Sequence, residues 1–297
     1  MTITIGSRGS DLALWQARHV KEILESNGHT AEIKIIVTAG DRVQDIGFDK
    51  MEGKGFFTKE LEEALLRKEI DLAVHSLKDL ETTSPDGLEL AAISKREDAT
   101  DVMLVASRTA IRAESPLKLA PDSVVGTSSA RRKSQIIGLR SDIRIRDLRG
   151  NVPTRIAKLR AGEYDAIVLA AAGIARLNLD ISDLLVIRFD PQEFVPAPGQ
   201  GALGLQIRSA DKELRKAVQC VHDEKTASEV RVEREVLYHL NGGCQLPLGV
   251  FCSHEGKHWD VVCSFSQSSD QASVISNFSS TTDIGFGKSV AEKIDRG

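Results

Sequence analysis

The stretch Glu69-Ile70-Asp71-Leu72-Ala73-Val74-His75-Ser76-Leu77-Lys78-Asp79 decides the fold. Asp71 to Val74 is short, apolar and preceded by an amphipathic helical pattern through Lys59 to Lys68, so it reads as a buried strand fed by a helix. The order recurs at Glu163-Tyr164-Asp165-Ala166-Ile167-Val168, again after a helix carrying a Leu-Arg step. A helix feeding a buried strand is half of a βαβ unit. Two copies imply two similar α/β lobes with mostly parallel sheets.

Outward from the first copy, Thr2 to Ile5 reads as a strand and Gly6 to Gly9 as a turn. Ser10 is placed to cap a helix on which Ala13, Ala17, Val20 and Leu24 recur at helical spacing until Asn27-Gly28. Glu32 to Thr38 is the next strand, and Gly53-Lys54-Gly55 is a loop. In the second copy, Val124-Val125 runs into Gly126-Thr127-Ser128-Ser129 and a helix from Arg131 to Leu139, as Ile5-Gly6-Ser7 runs into the first helix. Polar Ser94 to Asp101 and the proline- and glycine-rich Asp190 to Gly204 read as connectors. From residue 222 the character changes. A helix near Thr226 to Leu240 stops at Asn241-Gly242-Gly243, and strands follow around Val250 to Cys252, Val261 to Phe265 and Ser273 to Phe278. The expected organisation is lobe 1 at 1–95 and 200–218, lobe 2 at 100–192, and a small α+β domain at 222–297.

The chain has 297 residues, 41% apolar and 28% charged, which suits two or three folded units. Its longest apolar run, near Ala166 to Ala175, is well short of the roughly 18 to 20 residues a membrane helix needs. The amino terminus opens as a strand with no basic-then-apolar leader, so a cytoplasmic protein without a membrane partner is expected. None of the four cysteines forms a C-x-x-C pair, and reduced thiols follow. The net charge of -4 hides a local balance of +8 over residues 126–160. An anionic ligand is expected there.

Two motifs mislead. Gly199-Gln200-Gly201-Ala202-Leu203-Gly204 has the G-x-G-x-x-G spacing, but prolines precede it and a strand, not a helix, follows, so no dinucleotide site is expected. Cys252, His254, His258 and Cys263 are zinc-competent types at spacings that fit no common structural zinc pattern, and no metal is expected. Three other turns carry more. Gly6 to Ser10, Gly126 to Ser129 and Arg149-Gly150-Asn151 each offer backbone N–H groups at a helix start, beside Arg8, beside Arg131 and Arg132, and beside Arg155. Guanidinium forks bind carboxylates in bidentate fashion and keep their charge, which suits a polycarboxylate. RNA is disfavoured because residues 126–160 contain no aromatic residue on which a base could stack. Asp79, closing a strand, is either a turn carboxylate or, among so many cations, the stabiliser of a positive intermediate. Cys244, after a Gly-Gly helix stop, is either structural or a point of covalent attachment. A non-catalytic binder of small polycarboxylates would need the basic turns but not Cys244.

Together these residues resemble the porphobilinogen deaminase, or hydroxymethylbilane synthase, family. The resemblance runs from Ile3 to about Gly249. It rests on Gly6-Ser7-Arg8 with Leu12 to Gln16, Gly53-Lys54-Gly55 with Phe57, Lys59 and Glu60, Val74 to Asp79, Gly126 to Ser129 with Arg131-Arg132, Leu148 to Val152 with Thr154-Arg155, Gly199 to Ala202, and Gly242 to Gln245. It implies two lobes like those of periplasmic binding proteins, a C-terminal domain carrying the cofactor, and a transferase of porphyrin (haem) biosynthesis. Four porphobilinogen molecules would be joined head to tail into hydroxymethylbilane with loss of ammonia, on a dipyrromethane primer held by thioether to Cys244. The resemblance makes Asp79 the catalytic carboxylate, also in contact with the cofactor. Lys54, Ser128, Ser129, Arg131, Arg132, Arg149 and Arg155 would hold the primer. Arg8, Ser10, Phe57, Arg149, Arg155 and Arg176 would hold substrate. The enzyme is expected to be a monomer with porphobilinogen as its small-molecule partner and no nucleic-acid partner. Glu81 stands where the family commonly has proline.

Overall fold

The computed structural model describes residues 1–38, 58–110, 116–243 and 245–295. They divide into two compact units, Met1–Glu97 with Gly199–Arg234, and Asp98–Pro198 with Glu235–Gly297.

The first unit holds strands β1 (Thr2–Ser7), β2 (Thr30–Ile35), β3 (Leu72–Ser76), β4 (Leu88–Ile93) and β10 (Leu203–Arg208) in the order β2-β1-β3-β10-β4. β1 pairs in parallel with β2 and β3, while β10 runs antiparallel to both β3 and β4. Helix α1 (Asp11–Ser26) starts where expected: the Ser10 side chain accepts a hydrogen bond from the Ala13 N–H. Its buried stripe of Ala17, Val20 and Leu24 packs on Ile3, Ile5, Leu72, Val74 and Leu205. Strand β2 begins two residues before the expected Glu32, because its register follows β1, from Thr2 opposite Thr30 to Ser7 opposite Ile35. Helix α2 (Lys59–Leu66) covers the other face of the sheet with Leu61, Ala64 and Leu65.

The second unit repeats the scheme. Strands β5 (Asp101–Ala106), β6 (Val124–Gly126), β7 (Arg144–Arg146), β8 (Ala166–Ala170) and β9 (Leu184–Arg188) lie in the order β7-β6-β8-β5-β9. β6 is parallel to β7 and β8, and β5 is antiparallel to β8 and β9. Position for position this is the first sheet, so the recurrence of Glu69–Val74 at Glu163–Val168 marks equivalent strands, β3 and β8. Helices α3 (Ala130–Leu139), α4 (Val152–Arg160) and α5 (Ala171–Arg176) follow β6, β7 and β8. A separate antiparallel sheet of β11 (Leu248–Glu255), β12 (His258–Phe265) and β13 (Val274–Ser280) also belongs to this unit. The chain is thus two parallel-rich α/β lobes with a small C-terminal sheet.

Two further helices of the first unit are α6 (Lys212–Ala217) and α7 (Glu224–His239), the latter belonging to it as far as Arg234. The closing helix α8 (Phe286–Asp295) is not among the elements expected from sequence, although Phe286, Val290 and Ala291 form its buried stripe. No described helix is long and apolar enough to cross a membrane.

The glycine-rich stretch serves the connectors. In the first unit the Glu97 N–H donates to the Gly201 carbonyl at 3.1 Å, and the Ser94 N–H to that of Leu203 at 3.0 Å. Arg96 donates from Nε to the Gln200 carbonyl at 2.8 Å and from Nη1 to the buried Glu233 carboxylate at 2.7 Å. The other oxygen of Glu233 accepts from the Gly199 N–H at 2.7 Å. Gly201 has φ +92°, and a Cβ there would lie 2.4 Å from the Glu97 carbonyl oxygen. Gly201→Ala therefore meets both a strained φ and a backbone clash, and we expect a loss of about 1–3 kcal/mol of stability. Urea unfolding reads it. An unchanged midpoint would show that the connectors do not need to approach so closely.

Candidate active site

In the first unit, β3 ends in a 3-10 turn, Leu77–Asp79. The Leu77 N–H donates to the Ala202 carbonyl at 3.0 Å, and the Leu80 N–H to that of Leu77 at 3.2 Å. Leu77 and Leu80 are buried, so the residues between them face outward: Asp79 is exposed, and Lys78 Nζ donates to Gln200 Oε1 at 3.3 Å. Ser76 Oγ accepts from Gln16 Nε2 at 2.8 Å. Arg8 and Ser10 follow β1, the parallel neighbour of β3, so with Asp79 they stand beyond the carboxyl ends of adjacent parallel strands. That is where open α/β sheets bind ligands. Below the turn, the His75 imidazole is hydrogen-bonded to Gln206 Oε1 at 3.0 Å. Burial, with the charge of Arg8 adding to it against the Gln206 bond, pushes its pKa down to about 4, so it stays neutral.

In the second unit both expected turns open helices. Ser129 caps α3 by accepting from the Arg132 N–H, and Asn151 caps α4 by accepting from the Thr154 N–H. Ser128 Oγ is tied to the main chain of Leu148, donating to its carbonyl at 3.1 Å and accepting from its N–H at 3.0 Å. Arg149 follows β7, Ser128 to Arg132 follow β6, and Arg176 ends α5 after β8. Arg149 and Ser128 to Arg132 stand just beyond the carboxyl ends of the neighbouring strands β7 and β6, while Arg176 lies at the far end of the six-residue α5 that leaves β8. Arg155 donates from Nε to the Gly150 carbonyl at 2.7 Å, and Arg176 is buried.

Arg131 and Arg132 have a partner that sequence reading missed. Both are buried against Asp101, the first residue of β5, which is 0% exposed. Arg131 Nη1 donates to Asp101 Oδ2 at 2.7 Å and to the Val195 carbonyl at 2.8 Å. Arg132 donates to Asp101 Oδ1 from Nη2 at 2.6 Å and from Nε at 3.2 Å, and from Nη1 to the Val168 carbonyl at 3.1 Å. Burial alone pushes the Asp101 carboxyl up. The charges of Arg131 and Arg132, with their hydrogen bonds, outweigh it and hold the group well below the usual carboxylate range. Burial, with the like charge of Arg132, pushes the Arg131 guanidinium below its ordinary value against the attraction of Asp101. Guanidiniums nonetheless stay protonated in proteins. Two cations against one anion leave a buried surplus of one positive charge, which an anionic ligand would relieve. Among the described residues Arg131 Nε and Nη2 have no acceptor. The sequence signal for Asp101 was a lone carboxylate opening an otherwise wholly apolar strand, Asp101-Val102-Met103-Leu104-Val105-Ala106.

The rest of the basic run has ordinary surface partners. Arg140 pairs with Asp142 at 2.6 Å, Arg144 with Asp122 at 3.5 Å, Arg160 with Asp183 at 2.6 Å, and Lys133 with Asp270. Arg146 lies 4.3 Å from the centroid of the Tyr164 ring. Lys54, Phe57 and Cys244 lie outside the described residues. Cys252 and Cys263 are buried on β11 and β12, and His254 stacks on Trp259 with ring centroids 4.2 Å apart. Among the described residues no three His, Cys, Asp or Glu side chains are grouped to hold a metal.

The family model described as "Porphobilinogen deaminase, dipyromethane cofactor binding domain" matches residues 3–216, and "Porphobilinogen deaminase, C-terminal domain" matches residues 227–295. The porphobilinogen deaminase of a Nitratiruptor species is 49% identical over 253 residues, 85% of this chain and 79% of that one. That of Sulfurimonas denitrificans is 50% identical over 253 residues, 84% and 79% of the two chains. That of Campylobacter fetus subsp. fetus is 46% identical over 261 residues, 88% and 83%.

Removing the central carboxylate should show what it holds. Asp101→Asn leaves two like charges buried together, and we expect a loss of about 3–5 kcal/mol at neutral pH. A carboxyl whose folded pKa is depressed stabilises fully above its unfolded pKa of about 3.9, and that stabilisation is lost as pH falls towards the folded value. The gap between parent and variant should thus be constant from about pH 5 to 7 and shrink below about pH 4. Chemical denaturation across that range checks this. A gap that widens on acidification would contradict the depressed pKa.

Proposed function

The chain belongs to the porphobilinogen deaminase family, and from that premise we propose the assignment of its residues to the family's reaction. As a hydroxymethylbilane synthase it joins four porphobilinogen units head to tail into a linear tetrapyrrole with release of ammonia, on a dipyrromethane cofactor. The observation that carries the residue assignment is the buried surplus of guanidinium charge at Arg131, Arg132 and Asp101.

A dipyrromethane fits that donor set. Each pyrrole unit carries two carboxylates, and one of them balances the surplus charge at Arg131 and Arg132. Cys244 would hold the group by thioether, a bond that resists hydrolysis. Lys54, Ser128, Ser129, Arg149 and Arg155 would complete the grip. When bound, the cofactor supplies the pyrrole carbon to which the first substrate unit is joined. Arg8, Ser10, Arg149, Arg155 and Arg176 would pair with substrate acetate and propionate, each charge-assisted hydrogen bond contributing about 1.5 to 3 kcal/mol, and Phe57 would lie against a pyrrole ring. Asp79 does the electrostatic work, also facing the cofactor's pyrrole nitrogens. As ammonia leaves porphobilinogen, positive charge spreads over the pyrrole and its methylene carbon, and a carboxylate about 4 Å away lowers that barrier. His75, neutral beneath the turn, adds no competing positive charge. The proposal includes a cytoplasmic monomer with no nucleic-acid or membrane partner, and three domains at 1–95 with 200–218, 100–192 and 222–297.

Two measurements test this reading. Intact-mass analysis should find the active protein heavier than its sequence, with the excess on the peptide containing Cys244. An active, unmodified protein, or an adduct on Cys220, Cys252 or Cys263, would remove Cys244 from its role. Asp79→Asn should fold and keep its primer but lose about two to three decades in turnover. A loss below about tenfold would make Asp79 a turn residue only.

A further inference from the structure

The turn that carries Asp79 is held from beneath by α7. Leu77 and Leu80 are buried with Ile93, Ala202 and Val230, and Ala227 packs against them. Farther along the same face of α7, Arg234 reaches the main chain of the turn. Its Nη1 donates to the Leu77 carbonyl at 3.3 Å and the Leu80 carbonyl at 2.9 Å, and its Nη2 to that of Glu81 at 2.6 Å. Residues 227, 230 and 234 follow helical spacing, so one stripe supplies both the apolar floor and the cationic clamp.

Unlike Arg131 and Arg132, the half-buried Arg234 has only main-chain carbonyls as acceptors among the described residues. Burial pushes its pKa down to about 10, so it remains a cation at neutral pH. A largely desolvated charge that faces no carboxylate among the described residues is a costly way to add stability. It is an effective way to fix geometry, because a rigid planar fork accepts one arrangement of its acceptors. The three carbonyls bracket Asp79 on both sides in sequence.

We infer that Arg234 is the positioning residue for Asp79, holding the turn so that its carboxylate keeps one placement through successive additions. This rests on the reading of Asp79 as the catalytic carboxylate. The same clamp explains how Glu81 is tolerated where a proline would stiffen the turn. Leu80 lies at φ −88°, ψ 132°, the extended backbone that a following proline demands, so proline at position 81 would supply locally what the guanidinium supplies from α7.

The test uses the full-length primed protein as Arg234→Lys, Glu81→Pro, the double variant and Asp79→Asn. Lysine keeps the charge but not the fork. Arg234→Lys should keep its primer by intact mass and its KM within about twofold, while kcat falls about tenfold. Exchange of the Leu80 amide, which donates to Leu77, should speed up about tenfold or more. In the double variant kcat should return to within about threefold of the parent. A kcat for Arg234→Lys within about twofold of the parent overturns the inference, as does a fall in kcat without faster exchange or without rescue by proline. If neither the single nor the double variant folds, Arg234 is a residue of stability and the inference falls. Asp79→Asn separates the premise: its retained turnover would remove the catalytic role of Asp79, whereas the exchange result reports on the clamp regardless.

Discussion

The carboxylate of Asp101, wholly out of solvent, holds two guanidiniums within hydrogen-bonding distance at the carboxyl edge of the second lobe's parallel strands. Topology makes it available. β5 runs antiparallel to β8, so its first residue lies opposite Ala170, the last residue of β8. A charge on the incoming connector is thereby delivered to the edge where the parallel strands end. The first lobe uses the same device. β10 begins with Leu203 opposite Ser76, the last residue of β3, which brings Gln200 to Lys78 and the Ala202 carbonyl to the Leu77 N–H. In each lobe one strand, entered from a connector, reverses direction and supports the ligand-facing turns from within the sheet.

The two lobes do different work with this arrangement. In the second, one carboxylate against two guanidiniums leaves a buried surplus of positive charge, which in the proposed function the polycarboxylate primer answers. In the first, the exposed carboxylate of Asp79 stands on a turn whose flanking leucines are buried. Its neighbours fix its place through the main chain: Ala202 from the connector and Arg234 from α7. A cation on the substrate needs a negative charge held still, whereas carboxylates on the primer need positive charge held in excess.

Sequence alone reveals what is local. Ser10, Ser129 and Asn151 cap the helices they precede because a cap is a contact across three residues, and the likeness of Glu69–Val74 to Glu163–Val168 marks equivalent strands because both copies feed the third parallel strand. Contacts across the fold are not legible in it. Arg131 and Arg132 stand out, but Asp101, 30 and 31 residues away, reads as part of a polar connector. Gly201 sits in a misleading motif, and only the approach of Glu97 explains it; the start of β2 is misread because its ends depend on the length of β1. Part of the basic run, namely Lys133, Arg140, Arg144 and Arg160, proves to be surface ion pairing.

The central claim is that the unbalanced charge around Asp101 takes the primer. Arg131 is the residue to remove, since Arg132 alone still neutralises the carboxylate and Arg131 keeps Nε and Nη2 unengaged among the described residues. Intact mass of purified Arg131→Leu, read beside its melting curve, is the decisive measurement. The account predicts a folded protein at the mass of the bare chain, because a balanced pair no longer calls for an anion. A fully primed protein of parental stability would contradict it, and the cofactor's carboxylates would then have to be held by other residues.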